Sequence, residues 1–126
     1  MKVVNNKLVA ILLATYNGEK FLVEQLDSLM SQSFKDFNVY VHDDGSTDST
    51  CQILDQFCSR YDNIFLLDDP QNNRGAKGSF EWLLENVESN YYMFCDQDDF
   101  WLKDKVTNTL TKLREIEIGN KPAVLS

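Results

Sequence analysis

Basic residues are scarce in this chain. Twelve lysines and arginines stand against 20 aspartates and glutamates in 126 residues, a net charge of −8. That deficit excludes a protein that tracks nucleic-acid phosphates through a positive surface. Long hydrophobic runs are missing as well: the longest, Leu8–Ala14, is far short of a membrane span. The opening segment, Met1 to Lys7, has neither the apolar block nor the cleavage site of a secretory leader. Cys51, Cys58 and Cys95 are odd in number and show no C-x-x-C spacing. They speak against a disulfide framework or a zinc site and for reduced, buried thiols in the cytosol. No G-x-G-x-x-G follows a strand pattern, so a dinucleotide fingerprint is lacking. Linkers, internal repeats and low-complexity stretches are also lacking.

What remains is ordinary globular material. Apolar residues make up 43% and charged residues 25%, as expected of a folded soluble domain. The length suits one domain, spanning residues 1–126. A chain of this size buries about two thirds of its unfolded surface and needs no disulfide staples.

Four apolar runs read as strands: Leu8–Ala14, Phe37–Val41, Ile64–Leu67 and Tyr91–Cys95, with a fifth at Ala123–Leu125. They are rich in Val, Ile, Leu and aromatics without clean alternation, the pattern of strands covered on both faces. Between them apolar residues recur at helical spacing. The stripes are Leu22, Leu26 and Leu29; Ile53, Leu54, Phe57 and Cys58; Phe80, Leu83, Leu84 and Val87; and Val106, Leu110 and Leu113. Ser46 and Asp48 are N-cap types ahead of the second helix, and Gly119 is a stop for the fourth. The segment Lys103–Lys121 interleaves Lys, Arg and Glu and reads as a solvated helix face. The order β-α-β-α-β-α-β-α-(β) predicts an α/β fold, a mainly parallel Rossmann-like sheet with helices on both faces.

The aspartates gather at strand ends. Asp43-Asp44-Gly45-Ser46-Thr47-Asp48 follows the second run, Asp68-Asp69-Pro70 the third, and Asp96-Gln97-Asp98-Asp99 the fourth. Ligands of open α/β sheets bind beyond the carboxyl ends of strands, where strand order reverses. With the first strand between the second and fourth, Asp44 and Asp98 flank one crevice. Asp68 and Asp69 follow an outer strand and are read as turn formers too distant to contribute. Two carboxylate sets facing one crevice repel unless a cation lies between them. A hard divalent ion completed by ligand phosphates suits such a pair. The competing reading makes these aspartates helix caps, Asp43 to Asp48 for the second helix and Asp99 for the fourth. His42, the sole histidine, reads as a buried, hydrogen-bonded core residue, and Gly75 as the glycine of a tight loop beside Arg74.

Five landmarks in order carry a family resemblance. They are Val9-Ala10-Ile11-Leu12-Leu13-Ala14-Thr15-Tyr16-Asn17-Gly18, Ser31-Gln32-Ser33-Phe34, Val41-His42-Asp43-Asp44-Gly45-Ser46-Thr47-Asp48, Asn73-Arg74-Gly75 and Asp96-Gln97-Asp98-Asp99-Phe100-Trp101. From about Leu8 to Leu113 the chain resembles family 2 glycosyltransferases. The resemblance implies a GT-A fold that binds a nucleotide-diphosphate sugar, UDP- or dTDP-linked. Asp96 then hydrogen-bonds the ribose, and Asp98 binds Mn²⁺ or Mg²⁺ bridging the diphosphate. Asp44 or its neighbour Asp43 accepts the N3–H of uracil or thymine, and Thr15 and Tyr16 line the base pocket. Arg74 matches a position that touches base or phosphate, and Asp99 orients the sugar. Tyr16 has a second reading as a core or rim aromatic. Asp-Gln-Asp-Asp-Phe-Trp, in place of the commoner Asp-Ala-Asp-Asp, resembles the rhamnosyltransferase branch, although Gln97 and Trp101 also read as tolerated variation and packing.

Family members have larger catalytic domains, and their general base comes from the second half. The chain is therefore expected to be the donor half of a truncated GT-A domain, with no catalytic residue assignable before Ser126. The expected partners are the sugar nucleotide and a saccharide or lipid-linked acceptor, in the cytoplasm or at the inner membrane face. An unfinished sheet edge adds the expectation of self-association. A non-catalytic nucleotide-binding or interaction module is the alternative. A signalling receiver domain fits poorly, because the first strand ends Thr15-Tyr16-Asn17 without an acidic pair.

Overall fold

A computed structural model describes residues 2–117 together with the backbone of Val124–Leu125. In chain order the elements are β1 (Val3–Val4), β2 (Val9–Thr15), α1 (Glu19–Met30), β3 (Phe37–Asp43), α2 (Thr50–Arg60) and β4 (Ile64–Leu66). They continue with α3 (Gly75–Asn86), β5 (Val87–Glu88), β6 (Tyr91–Cys95), α4 (Lys105–Glu117) and β7 (Val124–Leu125). Gly119 and Ala123, expected to stop the fourth helix and open the fifth strand, lie outside the described residues, as does the end of the Lys103–Lys121 segment.

The main sheet has the order β4-β3-β2-β6-β7 with every pairing parallel. The chain steps outward from β2 through β3 to β4, then returns to β6 on the other side of β2. The reversal expected from the aspartates therefore falls between β2 and β6. All residues of β2 are buried, because both sheet faces are covered. Val9, Ile11 and Leu13 point to the face packed by Leu22, Leu26 and Leu29 of α1, Leu54 and Phe57 of α2, and Val106, Leu110 and Leu113 of α4. Ala10 and Leu12 point the other way, into a smaller cluster with Leu83 of α3 and Tyr40. The side-chain period of two thus sorts one apolar run into two cores. Each fully buried Leu or Ile contributes about 1.5–3 kcal/mol.

Three details differ from expectation. Val87 was expected on the third helix stripe, but it ends that helix and starts β5. There it pairs with Val3 in a second, two-stranded parallel sheet. Asn5 anchors this N-terminal segment: its backbone N–H donates to the Glu88 carbonyl (2.8 Å), and its Oδ1 accepts from Asn38 (2.8 Å) and Tyr40 (3.0 Å). Asp99 does not cap the fourth helix; α4 begins at Lys105, and the Asp99 carboxylate takes the Trp101 indole N–H at 3.1 Å. Ser46 is not the cap of α2 either, since Ser49 occupies that position. Asp48 does serve that helix, its Oδ1 accepting the Thr50 N–H at 2.9 Å. Among the described residues no helix is long and apolar enough to cross a membrane.

Candidate nucleotide-binding cleft

A cleft of about 300 Å³ opens beyond the carboxyl ends of β2, β3 and β6, lined by Thr15, Tyr16, Asp44, Gly75, Asp96 and Gln97 among others. The two aspartate corners meet across it, as the strand order requires. One wall comes from β2 and β3 with the first turn of α3; the other comes from the loop after β6.

On the first wall Thr15 and Asp43 are register partners, and Thr15 Oγ1 donates to Asp43 Oδ1 at 2.7 Å. Asp43 also accepts from the Ser46 backbone N–H (2.9 Å), the Ser46 hydroxyl (2.6 Å) and the Cys51 thiol (3.3 Å). Burial opposes ionisation of Asp43, but the donors from Ser46, Thr15 and Cys51 outweigh it and hold the carboxyl below its ordinary range. Burial and the facing Asp43 push the Cys51 thiol up to about 11. Asp43 thus lies behind the wall, away from the cleft. Asp44 faces it. Its Oδ1 accepts the Arg74 backbone N–H (2.8 Å) and its Oδ2 that of Gly75 (2.9 Å). The carboxylate thereby satisfies two of the orphan donors at the start of α3. Gly75 sits at φ +76° with no atom within 4 Å of a would-be Cβ, so backbone conformation rather than space calls for glycine.

Asp69 does more than the sequence reading gave it. It does form a turn, accepting the Gln71 N–H at 3.0 Å, and β4 is the outer strand. The loop after β4, however, folds back over the end of β3. There Asp69 Oδ2 accepts from His42 Nε2 at 2.6 Å, and the Arg74 guanidinium grips both oxygens, with Nη2 at 3.0 Å and Nε on Oδ2. The Arg74 fork, aided by the Gln71 and His42 donors, holds the Asp69 carboxyl well below the usual carboxylate range. His42 is fully buried, as expected. Arg74 presents its backbone N–H to Asp44 and its guanidinium to Asp69.

The second wall is the Asp96–Asp99 loop. Gln97, which the sequence left between variation and function, accepts the Tyr16 N–H on Oε1 at 2.7 Å. It packs so close to Gly18 that a Cβ there would lie 3.0 Å from the same oxygen. Asp98 adopts φ +69°, a left-handed conformation that Asp tolerates better than most residues. Asp96 and Asp98 are exposed, and among the described residues no hydrogen bond engages either carboxylate. Beneath the loop, buried Gln25 donates to the carbonyls of Asp96 (2.6 Å) and Asp99 (3.3 Å). Gln25 escaped the sequence reading; its only signal was an amide on the apolar stripe between Leu22 and Leu26. Tyr16 is a rim aromatic, 49% exposed.

Of the expected residues, Thr15, Tyr16, Asp44 and Asp96 line the cleft together. Asp43 and Arg74 stand behind its wall, and Asp98 and Asp99 lie farther along the loop, Asp99 against Trp101. Among the described residues no three metal-ligating side chains form a complete cage. The free carboxylates of Asp96 and Asp98 nevertheless fit a hard cation that takes its remaining ligands from phosphate.

Comparison with known proteins gives matches in family and in fold. The family described as "Glycosyl transferase family 2" matches residues 10–120. A dTDP-rhamnosyl transferase, RfbG of Shigella flexneri, is 38% identical over 102 residues, covering 78% of this chain and 35% of the relative. The crystal structure of Staphylococcus aureus TarS 1–349 with UDP-GlcNAc superposes with a TM-score of 0.75 at 30% identity, over 91% of this chain and 32% of that one. A mannosyltransferase of Pyrobaculum calidifontis, PcManGT, solved with GDP-Man and Mn²⁺, shares the fold with a TM-score of 0.76 at 22% identity, over 85% of this chain and 32% of that one. The chain thus spans about a third of the length of each.

Proposed function

The chain belongs to glycosyl transferase family 2, and from that membership we propose that it is the donor-binding half of a metal-assisted, inverting transferase using a UDP- or dTDP-linked sugar. The observation that carries this reading is the shared cleft: Asp44 and Asp96 line one cavity from opposite walls. Asp44 is held by two backbone N–H groups and keeps lone pairs for a ring N3–H. A carboxylate there favours uracil or thymine over cytosine, whose N3 is itself an acceptor. Tyr16, exposed at the rim, offers a flat face to the base, and Thr15 closes the wall behind it. Asp96 reaches the ribose from the second wall.

Asp98, with its neighbour Asp96, is the candidate holder of Mn²⁺ or Mg²⁺. A cation held by these two carboxylates would supply Lewis-acid stabilisation of the departing diphosphate. Asp99, fixed by Trp101, is assigned to the sugar side. The rhamnosyl transferase likeness and the Asp-Gln-Asp-Asp-Phe-Trp sequence support a deoxyhexose donor, and a saccharide or lipid-linked acceptor is assigned with it. Inversion requires a carboxylate that takes the acceptor's proton, and none of the residues described above is given that role.

Thermal melting with UDP or dTDP, with and without Mn²⁺, tests the proposal. A nucleotide at a hundred times its dissociation constant adds about 2.7 kcal/mol of stability. A gain that needs both nucleotide and metal supports the donor-site reading. An unchanged melt under every combination supports a non-catalytic module instead.

A further inference from the structure

The structure assigns His42, Asp69 and Arg74 to one positioning unit that sets Asp44 for base recognition. This inference deepens the donor-site reading and rests on it. A turn at Asp69 needs only the bond to Gln71 N–H, yet the side chain carries three further bonds. Two come from the Arg74 guanidinium and one from His42. The Asp69 side chain is 2% exposed and that of Arg74 23%. A carboxylate so enclosed is costly unless paired, and here each oxygen has two donors. The Arg74 fork is thus committed inward.

Geometry explains what the commitment achieves. Asp69 and Arg74 close the loop between β4 and α3 at both ends. Within it Asn73 adopts φ +63°, and Gly75 at the first position of α3 adopts φ +76°, the unusual backbone that aims the Arg74 and Gly75 N–H groups at Asp44. On the other side His42 lies two residues before Asp44 on the same strand end, with its ring 5.0 Å from that of Trp82 on α3. Strand and loop are therefore cross-bonded twice, through His42 to Asp69 and through Asp44 to Arg74 and Gly75. Loosening the first connection frees the second. Arg74 is then a positioning residue whose side chain need not touch the nucleotide.

The test is calorimetric titration of the chain with UDP and with CDP, both with Mn²⁺. CDP lacks the N3–H and carries an amino group in place of O4 but keeps ribose and diphosphate, so the UDP/CDP ratio reads recognition of the base edge assigned to Asp44. The intact chain is expected to prefer UDP. D69N and R74A are each expected to weaken UDP binding about tenfold and leave CDP within about twofold, with D69N/R74A no worse than either alone. A general loss of structure would move both nucleotides together. Where D69N fails to fold, R74A, which removes the part-exposed partner, carries the same test. The inference is overturned if the UDP/CDP ratio survives in D69N or R74A, or if R74A weakens both nucleotides and D69N does not, because Arg74 then touches the ligand directly. Failure of the intact chain to bind either nucleotide instead removes the donor-site reading, and this inference with it.

Discussion

The backbone N–H of Tyr16 donates to the Gln97 side chain at 2.7 Å, fastening the exit of the central strand to the loop that holds Asp96 and Asp98. The same glutamine crowds Gly18, which sits at φ −105° and so needs no glycine on backbone grounds. Gly18→Ala is expected to cost about 1 kcal/mol by displacing Gln97, and Gln97→Ala about 0.5–1.5 kcal/mol by removing the acceptor. The double variant should lose clearly less than the sum, since the contact is shared. Urea denaturation of the four proteins checks this; additive losses would show that the two residues do not communicate.

Asp44 has a structural task as well as a proposed recognition task. Asp44→Ala leaves the N–H groups of Arg74 and Gly75 without their acceptor, at a cost of about 1–3 kcal/mol. Asp44→Asn keeps one carbonyl oxygen and should lose less. Chemical denaturation without nucleotide separates these effects from ligand binding, and equal losses for Ala and Asn would contradict the two-donor geometry.

Asp98 is the clean probe of the proposed metal site. Asp98→Asn keeps a side chain that tolerates positive φ and removes only the charge. Apo stability should stay within about 0.5 kcal/mol, as for a surface change, while the Mn²⁺ dependence of nucleotide binding disappears. Retention of that dependence in the variant would reassign the cation to other residues.

Acid should unfold the chain through Asp43 and Asp69. Both have folded-state values below their unfolded ones, so each contributes stability that is complete above about pH 5. That stability is lost as pH falls through about 4 toward the folded values. Melting temperature measured from pH 7 to pH 3 should decline below pH 5, and more shallowly in D43N and D69N than in the parent. A D69N profile parallel to the parent's would remove Asp69 as a contributor.

Much of this architecture was legible because burial on both faces leaves its mark in composition. Tyr91–Cys95 was bounded correctly by its apolar run, and the β2 run was displaced by one residue. The order of β3, β2 and β6 enters the sequence reading as a premise, and the sheet has that order. The small β1–β5 sheet was not legible, since two residues carry no period and Val87 continues the apolar stripe of α3 until it leaves the helix. The bonds of Asp69 to His42 and Arg74 were not legible for a different reason. Its strand is indeed outermost, but a loop can retrace the sheet edge, and nothing in residue spacing reports that return. Gln25 and Gln97 act through backbone atoms of distant segments, a role that side-chain chemistry in the sequence does not advertise.

Helix α3 is gripped at both extremities. Its first turn is held by Asp44, and its last residue runs into β5, which zips onto β1. The twelve-residue helix therefore works as a connecting rod between the amino-terminal ribbon and the wall of the cleft. A bulky fusion that pries Val3 and Val4 from their partners would slacken that rod from its far end and loosen the hold of Asp44 on the helix start without altering any residue that lines the cleft.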